Sequence, residues 1–188
     1  MNVKSYPDGK GPSTPWGSGQ QVKTVARGVA EVGTASHGGM RVSRGLATRR
    51  MKPEILACAI ERSGYFWFEE DCAYALVVLS MPELFEAKMV ESAKASAKTW
   101  NPDEYTVLTG EPVVVEESYT LQRRAFEAET KDKFVVRCAW GDWEDDVPKG
   151  MVKVFSRRDS DGAERYGLVN AVDYNTRRSK FGYVLADA

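Results

Sequence analysis

The sequence predicts an α+β fold, with antiparallel strands at both ends of the chain packed around three or four central helices. Three observations carry this. Residues 21–34 alternate and contain β-branched side chains. Helical spacing of apolar residues then runs from residue 54 to residue 130. From residue 133 the alternation returns, around the strong hairpin turn Asp159-Ser160-Asp161-Gly162. Strands, helices and strands in blocks argue against an alternating βαβ chain.

Bulk properties bound the answer. The chain has 188 residues, 43% hydrophobic and 28% charged, with a net charge of −1. These values fit a globular domain and give no bulk attraction to nucleic acid or membrane. The charge is segregated: residues 1–50 sum to +6, residues 51–130 to −8 and residues 131–188 to +1. No apolar run approaches a membrane span, and the polar start lacks the apolar core of a signal peptide. Cys58, Cys72 and Cys138 are odd in number, form no CxxC pair and sit in apolar runs. They are expected as reduced, buried thiols, so a cytoplasmic protein is expected.

In chain order, residues 1–15 read as a flexible or draped arm, and residues 16–188 as a single domain with a candidate lobe division near 110–130. Trp16 begins the ordered part. Residues 21–26 and 29–34 form a hairpin about Arg27-Gly28, and Gly38-Gly39 turns the chain into a third strand, 40–43. Ser43 caps a short basic helix. Pro53 opens a helix over 54–62, stopped by Ser63-Gly64. Tyr65-Phe66-Trp67-Phe68 is a buried strand. Residues 72–79 are the most apolar helix and the centre of the core. Pro82 begins a helix over 83–99, residues 103–108 form a short one closed by Gly110, and residues 113–130 form a third long helix. Strands follow at 134–140, 151–156, 163–169 and 182–186.

The candidate site residues fall in three groups. His37, the single histidine, lies in Thr34-Ala35-Ser36-His37-Gly38-Gly39. It could serve as a general base if the aromatic strand carries Glu69, Glu70 or Asp71 against it, with Cys72 as a nucleophile whose pKa a helix start depresses. The plain alternative is a loop histidine, acids that cap a helix, and a core cysteine; the histidine would then lock the joint by hydrogen bonds to the carboxylates. No catalytic set is assigned, no metal site is expected from one histidine, and no cofactor is expected. The second group is the loop Asp142-Trp143-Glu144-Asp145-Asp146, where an exposed tryptophan among acids suits a protein partner. The third is arginine: Arg41, Arg44, Arg49, Arg50, Arg177 and Arg178, with Arg157-Arg158 and Lys180, as a candidate nucleic-acid surface.

Thr14-Pro15-Trp16-Gly17, the histidine loop and Trp67-Phe68-Glu69-Glu70-Asp71-Cys72 occur in that order. Together they make residues 14–108 resemble an uncharacterised domain family of phage- and plasmid-encoded proteins, some of them joined to antirestriction-type regions. The family has no assigned reaction, so the resemblance carries over no catalytic residue. The phenylalanine at 68 replaces the tyrosine of the family's tryptophan-tyrosine pair. The resemblance implies a mobile-element accessory protein that acts on a host protein or complex, including an anti-CRISPR or antirestriction inhibitor. An enzyme built on His37 and the acids, or a nucleic-acid-binding protein, are the alternatives. No membrane partner is expected, and the oligomeric state is left open.

Overall fold

The computed structural model describes residues 2–7 and 10–186, and the fold is α+β, with sheets from both ends of the chain and helices between them in sequence. The chain forms two compact units, Met1–Leu121 and Gln122–Ala188.

The first unit opens with β1 (Asn2–Ser5), then the two-residue strands β2 (Ser13–Thr14) and β3 (Gly17–Ser18). The hairpin β4 (Gln21–Ala26) and β5 (Val29–Gly33) turns at Gly28, whose φ is 89°. Strand β6 (Gly38–Ser43) follows, then α1 (Arg44–Arg50), α2 (Pro53–Leu56), β7 (Ile60–Arg62) and β8 (Tyr65–Glu69). The helical block is α3 (Tyr74–Ser80), α4 (Ala87–Trp100), α5 (Pro102–Thr109) and α6 (Tyr119–Thr130). The unit boundary falls within α6. Six strands form one antiparallel sheet in the order β1-β4-β5-β6-β8-β7.

Both faces of the sheet are covered at β6 and β8, which explains the run of four aromatics. In a strand, successive side chains point to opposite faces. Phe66 and Phe68 therefore join Val29, Met40 and Val42 under Ile55, Leu76, Val77 and Val78 of the helices. Trp67, only 2% exposed, points the other way, with Val22, Ala30 and Val32, and is covered by Tyr6, Trp16 and Tyr65. Trp16 meets Trp67 edge-on at 6.1 Å, and the Trp67 indole N–H donates to the Arg62 carbonyl at 3.2 Å. The Asn101 side chain donates to the Cys72 carbonyl at 3.3 Å and ties the start of α5 to the turn before α3.

Several expectations are corrected. Residues 2–5, read as part of a flexible arm, pair with β4, and Thr14 is buried, its carbonyl accepting from Arg62. Pairing through the main chain needs no apolar side chain, so a polar arm can still be a strand. Asp8 and Gly9, also in that arm, lie outside the described residues. The helix expected over 54–62 ends at Leu56, and residues 60–62 pair with β8. Ser63 and Gly64 both have positive φ (52° and 78°), so they make a two-residue hairpin turn rather than a helix stop. The helix expected from residue 83 starts at Ala87, after a 3₁₀ turn. The one expected from residue 113 starts at Tyr119, after a 3₁₀ turn over Val115–Glu117, where the Ser118 hydroxyl accepts from the Leu121 N–H. The thiols are not buried: Cys58 and Cys138 are exposed and Cys72 is half-buried.

The second unit is a three-stranded antiparallel sheet, β11-β10-β9, built from β9 (Phe134–Trp140), β10 (Met151–Arg158) and β11 (Glu164–Asn170), followed by α7 (Ala171–Arg177). Val135, Val147, Val152, Val154 and Tyr183 are its buried hydrophobic residues, and the register sets Val135, opposite Arg157, on the other face from Val152 and Val154. The turn between β10 and β11 is held by Arg158, whose hydrogen bond to Asp161 keeps that carboxyl at about 2. The last strand expected, at 182–186, is reduced to isolated bridges such as Val135 with Val184. Helix α7 was not expected; the Asn170 side chain caps it by accepting from the Val172 and Asp173 N–H groups.

Adjacent glycines on β6 make a sharp test. A Cβ at Gly39 would strike the Phe68 carbonyl oxygen and the Trp16 ring, neither of which can withdraw. At Gly38 it would chiefly meet the mobile end of the Glu70 side chain. Urea unfolding of Gly39→Ala should show a loss of about 2–3 kcal/mol, the usual range for forced overpacking. Gly38→Ala should lose under about 1 kcal/mol.

Candidate functional site

The histidine loop and the acidic turn are neighbours because β6 pairs with β8. Gly39 stands opposite Glu69, and the Glu70 N–H donates to the Gly38 carbonyl at 3.2 Å. The loop itself, residues 34–37, is closed by Thr34. Its N–H and its Oγ1 both donate to the His37 carbonyl at 2.7 Å, and Oγ1 accepts from the His37 N–H at 3.0 Å. The loop therefore fixes the backbone of His37, while the imidazole is exposed and has no hydrogen-bond or ion-pair partner among the described residues.

The three acids do different things. Glu69 turns back on its own chain, accepting from the Asp71 N–H at 2.7 Å and the Cys72 N–H at 3.3 Å, with the Cys72 thiol 3.8 Å away. Its carboxylate thus closes the turn that leads into α3. Glu70 lies over Gly38, in the space a Cβ would fill. Asp71 points to solvent. Because α3 begins at Tyr74, Cys72 lies in the preceding turn, where a hydrogen bond from the Ala73 N–H lowers its pKa less than its other surroundings raise it. Burial raises its pKa, and the nearby Glu69 and Asp71 charges raise it further. The depressed pKa that a nucleophile requires is replaced by a shift in the opposite direction.

The other groups are held as follows. Trp143 is 77% exposed. Its loop is fixed by Asp142 accepting from the Gly150 N–H at 2.9 Å and by the Asp146–Lys153 ion pair, and Glu144 and Asp145 stand exposed beside the indole. Among the arginines, Arg41 stacks over Tyr65 at 4.7 Å, Arg44 pairs with Glu61 and Arg50 with Glu83. Arg177 pairs with Asp173 at 3.2 Å, Arg178 lies over the Tyr174 ring at 5.7 Å, and Arg49 is exposed. Among the described residues, no group of three His, Cys, Asp or Glu side chains could hold a metal, and no helix is long and apolar enough to cross a membrane.

Sequence reasoning missed a groove. Helix α3 covers β6 and β8 but leaves the β1–β4–β5 side of the same sheet face open. A cavity of about 580 Å³ lies there, floored by Lys23, Glu31 and Met40 and walled by Tyr74, Glu70 and Met89. The Lys23 ammonium bridges both Glu31 oxygens at 2.9 and 3.0 Å. This pair depends on a bulge at Val25, where β4 carries one residue more than β5. Regular pairing out from the turn would set Lys23 opposite Val32, so only knowledge of the bulge could have revealed it.

The Cys58 thiol provides a chemical check. Burial and the nearby Glu104, 3.5 Å from its sulfur, push Cys58 up to about 11. Because the charged form is the disfavoured one, its alkylation by iodoacetamide should keep accelerating past pH 10. Glu104→Gln should move that rise to lower pH, as read by mass spectrometry of the labelled peptide.

Comparison with curated proteins and with solved structures yields no match. The profile of a domain of unknown function, DUF7007, matches residues 9–131. That span holds the histidine loop, the acidic turn and all of the groove's lining but Val3, and the chain belongs to this family of uncharacterised domains.

Proposed function

We propose that this protein is an accessory protein of a phage or other mobile element that works in the host cytoplasm by binding a host protein or complex, as an inhibitor of a defence system of the anti-CRISPR or antirestriction type. The observation that carries the binding role is Trp143, 77% exposed, its ring laid over Gly141 on a loop pinned at Asp142 and Asp146. Holding a large aromatic in water on an ordered loop forgoes its burial within the fold, and such residues anchor interfaces when a partner supplies the pocket. Glu144 and Asp145 add exposed negative charge to the same loop, which suits a pocket with a basic rim. Tyr166 and Leu168 are exposed on the face of the second-unit sheet that also bears Lys153, the partner of Asp146, and add exposed apolar area to this unit. The candidate catalytic groups favour the same reading: His37 lacks an orienting partner, Glu69 is occupied by backbone, and Cys72 is held as a thiol.

Phage plating on hosts that carry a restriction or CRISPR system tests this. Expression of the protein should restore plating at least about tenfold on a host with the sensitive system. Trp143→Ala should abolish the effect, because removing an interface anchor costs about 2 kcal/mol or more. His37→Ala should leave it intact. Failure to protect against any defence system by a folded, expressed protein, or full protection by Trp143→Ala, overturns the reading.

A further inference from the structure

The groove of the first unit is independent of Trp143 and presents its own recognition chemistry. A second hollow of about 330 Å³ shares Lys23, Glu31 and Met89 with the first, so the two form one trough. The trough follows β4 from Gln21 to Val25, four residues on. At about 3.3 Å per residue that is about 13 Å, the span of five residues of extended chain. Met40 lines the first hollow and Phe85 the second, while Met89 and the Lys23–Glu31 pair are common to both, and methionine adapts to varied side chains.

Charge in the trough is unbalanced. Lys23 is the sole basic group among the described residues that line it, and it is spent on Glu31. Arg50 neutralises Glu83 from outside. Glu70 at one end and Glu86 at the other have no ion-pair partner among the described residues. Two free carboxylates thus stand one in each hollow, on either side of Met89 and a neutralised ion pair.

We infer that this trough binds an extended peptide segment of another protein, with two basic residues at positions i and i+4 and an apolar residue at i+2. In extended chain these three side chains share one face. The two cations would reach Glu70 and Glu86 while the central side chain packs against Met89. The elongated shape and the breadth of the apolar walls favour a peptide over a compact ligand or a bare polyamine chain. The inference does not rest on the proposed defence target, since it concerns a different unit and different residues.

The test is an NMR titration of the ¹⁵N-labelled full chain with an acetylated, amidated Lys-Ser-Leu-Ser-Lys peptide. Amide shifts should concentrate at Gly33, Gly38, Glu70 and Met89, with an affinity of about 1 mM or tighter, weakened by salt. The double variant Glu70→Lys/Glu86→Lys alters two exposed side chains and should bind at least about tenfold more weakly. Trp143→Ala should bind as the parent does. Binding that is absent, that maps elsewhere or that survives the double charge reversal overturns the inference. So does equal binding of Glu-Ser-Leu-Ser-Glu or of spermine.

Discussion

The first unit depends on burying the side chains of β8 on both faces of one sheet. Tyr65, Phe66, Trp67 and Phe68 cannot share a single face of a strand, so the sheet needs a cover on each side. The helices supply one cover, over Phe66 and Phe68. Trp16, Tyr6 and Tyr65 supply the other, over Trp67. Each cover imposes a local demand. Trp16 can lie on the sheet only where the strand beneath has no Cβ, which is the role of Gly39. The indole N–H, removed from water, requires the Arg62 carbonyl, and β7 delivers it through the Ser63-Gly64 turn.

The same pairing decides what chemistry gathers at the end of β8. It brings Glu69, Glu70 and Asp71 to the foot of the histidine loop and then sends them in different directions. Glu69 satisfies two backbone N–H groups, so its charge is committed to the turn. Glu70 crosses Gly38 and enters the groove. A catalytic dyad would need one of these carboxylates to orient the imidazole, and the loop instead fixes only the backbone of His37. What the geometry holds there is a turn closed by Glu69 and a carboxylate, that of Glu70, at the mouth of the groove.

Much of this was legible in the sequence, for stated physical reasons. The hairpin at Arg27-Gly28, the strand over residues 65–68 and the turn at Asp159-Ser160-Asp161-Gly162 combine period-two alternation with residues that suit tight turns. The neighbourhood of the histidine loop and the acids was also readable, since a buried aromatic strand must lie against another strand. Other features were hidden by competing signals. Ser63-Gly64 serves equally as a helix stop or a hairpin turn, and only the pairing of Ile60 to Arg62 with β8 decides. Pro82 marks a 3₁₀ turn as readily as a helix start. The Asn170 cap with Asp173 three residues on was a helix-start signal that went unread. The exposure of Cys58 and Cys138 follows from local position, in the turn after α2 and on the outward face of β9, not from residue type.

The extra residue at Val25 has a consequence for folding fidelity. Two registers of the β4–β5 hairpin differ by one position, and a one-residue slip exchanges the faces of every side chain from Gln21 to Thr24. In the observed register Lys23 meets Glu31 beside an open trough, and Val22 lies among the aromatics. In the slipped register the Lys23 ammonium would be carried beneath Trp16 and Trp67 with no counter-charge, an unpaired ion in an apolar layer. A half-exposed ion pair adds little to the stability of the correct hairpin. Its larger effect is to make the wrong hairpin untenable, so a single surface lysine acts as the arbiter of which alignment the growing sheet can keep.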